Sequence, residues 1–179
     1  MASAPSGYTL RLARHDEVAR LPDIERRAGS LLSGYAEAVG FTPEHVASVN
    51  SVDTLERANQ DGRLWVAVDA EGTPVGFALV IELGLFAHLE ELDVLPEHGR
   101  KGLGSALLET VCEWAFTRGF SAVTVSTFRD VPWNAPFYVK RGFVALDASE
   151  QPPELVRIVE MERRKGLRTD LRVILQREV

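Results

Sequence analysis

The stretch from Phe86 to Phe128 constrains this chain most. A segment ending at Val94 runs through a proline-started, glycine-rich corner, PEHGRKGLGS, into the apolar periodicity of residues 101 to 118. Leu103, Leu107, Val111 and Trp114 fall on one helical stripe with Leu108, Cys112 and Ala115 beside it, while Ser105, Glu109 and Glu113 form the polar stripe. Gly119 stops that helix, and AVTVSTF (122 to 128) is a β-branched run of buried-strand type. Strand, long helix and strand in this order are long enough for a right-handed crossover, which makes the two strands parallel.

The flanking segments extend that unit into a sheet. Residues 8 to 14 alternate as a strand, and Asp16 is positioned to cap a helix carrying Val18, Leu21, Ile24, Ala28 and Leu31. A second helix is predicted over 43 to 60, opened by Pro43 and closed by Asp61-Gly62. Residues 63 to 69 and 74 to 83 form an antiparallel hairpin around the turn at 70 to 73. Beyond Phe128 come a short helix near 135 to 140, a strand at 143 to 146, a charged helix from about Pro153 to Lys165 and a last strand, RVILQRE. The expected fold class is α/β (α+β): a mixed, mostly antiparallel sheet with one parallel pair and flanking helices. With 179 residues, 45% of them hydrophobic, the chain suits a single domain, 1 to 179.

Several function classes are disfavoured. A formal charge of -6 lacks the basic face that nucleic acid requires. No apolar run approaches the roughly 20 residues of a bilayer span, and the N-terminus shows no signal-peptide pattern, so a cytoplasmic protein without a membrane partner is expected. One cysteine and histidines scattered at 15, 45, 88 and 98 offer neither a disulfide framework nor a metal site.

The corner has its own chemistry. A helix N-terminus presents free N–H groups and a positive dipole end, which suits phosphate. Glycines at 99, 102 and 104 clear the approach, and Arg100 and Lys101 add charge. A purely structural tight turn accounts for the glycines equally well. The P-loop pattern is absent, since Lys101 precedes Gly102 instead of following the last glycine, and the spacing GxxGxG differs from the dinucleotide fingerprint.

LEELDVLPEHGRKGLGSALLETVCEWA, followed by FRDVPWNAPFYVKRGF, resembles the acetyl-CoA-binding core of the GNAT N-acetyltransferases. The Q/R-x-x-G-x-G/A loop of that superfamily falls on Gly99 to Gly104, and its downstream N…Y…GF falls on Asn134, Tyr138 and Gly142-Phe143. The resemblance is strong over about residues 63 to 146. It departs at Gly99, where the superfamily carries Gln or Arg and this chain displaces the arginine to Arg100. The resemblance implies a GNAT-like fold, acetyl-CoA as co-substrate without a metal, and a small-molecule or peptide amine as acceptor. It implies further that Leu92, Asp93 and Val94 hold the pantetheine and polarise the thioester. Gly99, Arg100, Lys101, Gly102, Leu103, Gly104 and Ser105 would cradle the pyrophosphate. Asn134 would bond the pantetheine arm, or else cap the short helix that follows it, and Phe137 would pack near the cofactor.

Transfer to an amine needs a base and an acid, because an alkylamine with pKa about 10.4 is mostly protonated at pH 7. Glu90, Glu91 and His88 are the base candidates, directly or through water. Strand alternation puts His88, Glu90, Leu92 and Val94 on one side and Leu89, Glu91 and Asp93 on the other, so one glutamate faces a given pocket, and Glu90 is preferred. Tyr138, at the superfamily's tyrosine position, is the acid for the departing sulfur. Cys112 reads as a small core residue. A non-catalytic acyl-CoA-binding regulatory or sensor module is the alternative. Acceptor selection falls to residues 15 to 61 and the loops near 84 to 88, with Glu25, Glu37, Glu44 and Asp53 able to attract a cationic amine. RVILQRE, taken as an edge strand, could pair two copies into a homodimer, although its charges equally oppose pairing.

Overall fold

The computed structural model describes residues 3–35, 39–40 and 49–179. Seven strands form one sheet in the order β1-β2-β3-β4-β5-β7-β6. They are β1 (Thr9–Leu12), β2 (Leu64–Val68), β3 (Pro74–Leu83), β4 (Phe86–Val94), β5 (Ala122–Phe128), β6 (Val144–Ala145) and β7 (Arg172–Glu178). Every pairing is antiparallel except β4 with β5, the crossover pair. The described helices are α1 (Leu21–Gly29), α2 (Val52–Gln60), α3 (Leu103–Arg118), α4 (Ala135–Val139) and α5 (Pro153–Arg164).

Helix α3 carries the crossover. Leu103, Leu107, Leu108, Val111, Cys112 and Ala115 are all buried, and Trp114 meets Trp65 edge-on with ring centroids 5.2 Å apart. Gly119, at φ 79°, closes the helix in the left-handed conformation the sequence assigns to it.

Three expectations change. The first helix is broken into a 3-10 turn (His15–Arg20), α1 and a second 3-10 turn (Ser30–Tyr35). Pro22 has no N–H to donate and fits only a first helical turn, so the α-helix starts there. Asp16 does not cap it; Glu17 accepts from the Arg14 N–H at 2.8 Å and pairs with Arg11 at 2.6 Å. The predicted second helix is seen from Val52, with Ser51 capping Thr54 N–H at 3.2 Å, while residues 43–48 lie outside the described residues. The last strand is internal: β7 bonds β5 along its whole length and β6 on its other side, so β1 and β6 are the margins.

The feature that makes the site lies in β4. Leu79 pairs with Glu91 and Val80 with Leu89, so Glu90 has no partner on β3 and bulges. The parallel ladder to β5 runs only from Phe86 to Leu89, opposite Ala122 to Val125. Past that point β4 and β5 part company. Gly76 holds the far end of β4 close to β3, since a Cβ there would lie 2.7 Å from the Asp93 carbonyl oxygen.

Candidate active site

The parting of β4 and β5 opens a cleft of about 1220 Å³, lined from both sides by Glu90 to Val94 and by Ser126 to Phe128. From Glu90 onward the edge of β4 that faces this cleft has no strand partner, which leaves main-chain groups available to a ligand.

At one end stands the glycine corner. Pro96–His98 form a 3-10 turn, Arg100 adopts φ 57°, and Gly102, at φ 88°, precedes the first turn of α3. Holding an arginine in the left-handed region costs about 1–2 kcal/mol, which the surrounding turn must sustain. Gly99, by contrast, is extended at φ −63° and needs no glycine for its conformation. A Cβ there would lie 3.1 Å from the Pro96 carbonyl oxygen, so the bare position accommodates the 3-10 turn before it. A Cβ on Gly104 would touch Phe137 at 3.6 Å, so this glycine seats the helix start against the ring.

All the cofactor residues inferred from the sequence line the cleft except Lys101. Its ammonium donates to the Tyr8 hydroxyl at 3.1 Å, and that hydroxyl also bonds His98 Nδ1 at 2.9 Å. The left-handed residues on either side of Lys101 turn it away from the cleft and onto the N-terminal segment. Tyr8 therefore ties Lys101 and His98 together and braces the corner. Tyr8→Phe is expected to weaken coenzyme A binding about threefold to tenfold in calorimetry by loosening this brace, with kcat at saturation kept within twofold.

Arg141 escaped the sequence reading. Its guanidinium donates to Ser105 Oγ at 2.5 and 3.1 Å and to the Phe137 carbonyl at 2.6 Å, and it stacks 3.7 Å from the Phe137 ring centroid. It brings a fixed positive charge into the cleft beside the start of α3. The one signal for it was its place beside Gly142; its partner Ser105 is 36 residues away.

Deeper in, α4 presents Tyr138, buried between Phe137 and Phe143 with ring centroids 5.0 and 5.5 Å away. Burial, then Glu91 and Asp93, push the phenol above its usual range, so it keeps its proton at neutral pH. Asn134 occupies the N-cap position of α4 without capping it; its side-chain oxygen accepts from Thr127 Oγ1 at 2.7 Å.

Four carboxyl groups, those of Glu25, Glu90, Glu91 and Asp93, line the same cleft as the phenol. The bulge breaks the strand period, so Glu90 and Glu91 both line the cleft, contrary to the alternation expected from sequence. Burial raises Glu91 well above the carboxylate range, reinforced by Asp93, Glu25 and Glu90 and opposed by Arg172. Burial and Glu25 raise Asp93 likewise, opposed by a side-chain hydrogen bond with Glu91, and its Oδ2 is buried without a hydrogen-bond partner among the described residues. Glu25, on α1, is also raised by burial, although the Asn50 N–H bonds both its oxygens at 3.0 Å. Glu90 makes only loose contacts, 3.8 Å to Lys165 Nζ and 3.9 Å to His88 Nε2. His88 is buried, bonds Thr124 Oγ1 through Nδ1 at 2.9 Å, and burial, then Arg172, pull it down to about 4. The neutral imidazole forms no ion pair with Glu90 and is a poor base for an amine. Arg172 is committed to Glu162 at 2.8 Å. Glu37 and Glu44 lie outside the described residues, and Asp53 does not line the cleft.

The raised Asp93 carries a stability consequence. The folded state holds this proton at pH values where the unfolded chain has released it, so the carboxyl costs stability as pH rises from about 4 through its folded value. Asp93→Asn removes that cost. Its melting temperature should exceed the parent's at pH 8 by about 2–4 °C, equivalent to about 1 kcal/mol, and the gain should shrink as the pH falls toward 4.

The family model described as Acetyltransferase (GNAT) family matches residues 32–143. Among solved structures, the PaiA N-acetyltransferase of Thermoplasma acidophilum, in complex with coenzyme A, is 17% identical with a TM-score of 0.69, over 96% of this chain and 99% of that one. N-acetylglutamate synthase from Neisseria gonorrhoeae, complexed with coenzyme A and N-acetyl-glutamate, is 18% identical with a TM-score of 0.68, over 98% of this chain and 36% of that one. The ribosomal-protein-S18-alanine N-acetyltransferase of Escherichia coli is 19% identical with a TM-score of 0.63, over 96% and 94%. At these identities the likeness is one of fold.

Proposed function

Because this chain belongs to the acetyltransferase (GNAT) family, we propose that it transfers an acetyl group from acetyl-CoA to a primary amine, by direct attack of the amine in a ternary complex. The observation that carries this reading is the unpaired edge of β4, which runs from the bulge at Glu90 to the glycine corner beside a buried phenol. A thioester supplies the activated acetyl group. The protein's task is to orient it, take a proton from the amine and return one to sulfur.

The residues present fit such a co-substrate. The open main chain at Leu92 to Val94 offers the hydrogen bonds that an amide-bearing pantetheine arm needs, with Asn134 on the opposite wall. The amides at the start of α3, with Arg100 and Arg141, suit a pyrophosphate. Polarising donors on the β4 edge would also favour charge developing on the carbonyl oxygen.

Glu91 is the proposed base in place of Glu90. Burial beside Asp93 and Glu25 makes Glu91 more basic, which suits it to take a proton from an ammonium group. Tyr138 is the proposed acid, since its raised phenol stays protonated until the thiolate departs. A cofactor sensor has no use for a buried phenol in one cleft with a carboxyl cluster, so the catalytic reading is preferred over the regulatory module. Titrating coenzyme A by calorimetry and following thiol release from acetyl-CoA over a broad amine panel tests it. Absence of binding, or binding with no turnover of any amine, would overturn it.

A further inference from the structure

We propose that the acceptor is a primary amine with an apolar alkyl or aryl body and no carboxylate. The inference rests on the acetyltransferase reading and assigns the other end of the same cleft. The floor there holds Glu25, Glu90, Glu91 and Asp93, with Asp93 Oδ2 buried and unpartnered among the described residues. The nearby cations leave the carboxyl groups open to a ligand: Arg172 is bound to Glu162 at 2.8 Å, and Lys165, 63% exposed at its side chain, only approaches Glu90 at 3.8 Å. Among the described residues no three carboxylate, imidazole or thiolate groups converge as metal ligands. A substrate ammonium supplies the hydrogen-bond donors that this carboxyl-rich floor lacks, whereas a substrate carboxylate would bring one more acid into a cluster whose members already raise one another.

The mouth is of opposite character. Leu31, Trp133 and Met161 line the cleft yet are 45%, 42% and 42% exposed. They come from three separate places, the 3-10 turn after α1, the loop before α4 and the helix α5. Single exposed apolar side chains are ordinary, but three around one cleft whose floor is lined with carboxyl groups form a surface that a ligand covers. Trp133 is held by Tyr35, edge-on with ring centroids 4.8 Å apart, so its indole is a fixed wall. An amphipathic amine satisfies both regions at once, with its ammonium on the carboxyl floor and its apolar body against the wall. A second ammonium, as in a polyamine, would be desolvated against Trp133 and Met161 without a partner.

The test uses the purified full chain with acetyl-CoA and three probe amines: 2-phenylethylamine, spermidine and glutamate. The expected kcat/KM for 2-phenylethylamine exceeds that of either other probe by at least about tenfold. Trp133→Ala and Met161→Ala should each raise its KM about fivefold to thirtyfold, with the KM for acetyl-CoA unchanged, which a general loss of structure would not produce. Preference for spermidine or glutamate, or rim variants with the parent's KM, would overturn this inference while leaving acetyl transfer standing. If coenzyme A fails to bind in calorimetry, or no amine is turned over, the acetyltransferase reading falls and takes this inference with it.

Discussion

Tyr138→Phe is expected to lower kcat by about 100-fold or more, the lower end of what a positioned proton donor contributes, while the affinity for coenzyme A stays within twofold. The ring packs against Phe137 and Phe143 through its faces and edges, contacts that phenylalanine keeps, so the variant should fold and melt like the parent. The phenol is pushed up by burial and by the neighbouring carboxyls, so the parent should show no loss of rate from its ionisation below about pH 10. Single-turnover measurements on the preloaded protein separate this effect from product release. A variant that matched the parent's rate would assign the donor to another group or to water.

The second large effect concerns the base. Glu91→Gln should reduce kcat/KM by about 100-fold to 1000-fold and remove the acid limb of its pH profile. The base must be unprotonated, so rate rises with pH through its titration and levels off above it. Burial, Asp93, Glu25 and Glu90 all raise Glu91 and only Arg172 opposes, with the Tyr138 phenol staying neutral, so the parent's limb lies above the usual carboxylate range near 4.3. The measured value belongs to the interacting carboxyls together and not to one residue. Glu90→Gln is the control. Its carboxylate is loosely held by Lys165 and lies at the bulge, and the expected loss is under about tenfold. If Glu90→Gln proved the more damaging change, the assignment made from strand alternation would be restored.

The contrast between these two variants shows where sequence reasoning stopped. Period two along HLEELDV assigned Glu90 and Glu91 to opposite faces, which holds for a regular strand. An unpaired residue resets that count, and nothing in the local sequence marks Glu90 as the residue left over; the mismatch with Leu79 and Val80 of the neighbouring strand decides it. The placement of Lys101 was hidden for a related reason. Its charge and place in the motif put it in the cradle, but left-handed backbone on either side turned it toward Tyr8, 93 residues away. Arg141 entered the site through its contact with Ser105, and what separates Glu25 from the other acidic residues named in the sequence is its contact with Asn50 and its place in the cleft, neither of which a local pattern encodes.

The sequence by itself determined the strand, glycine corner, helix and parallel strand between Phe86 and Phe128, because periodicity, caps and glycine stops act over a few residues and are written locally. It also determined which tyrosine and which corner to examine. Only the tertiary structure decided that β4 leaves β5 after Leu89, that β7 is flanked on both sides, and that four carboxyl groups from α1 and β4 line one cleft with a phenol. Strand pairing and the burial of charge depend on residues far apart in the chain, and the basicity and acidity proposed for this site arise from that burial.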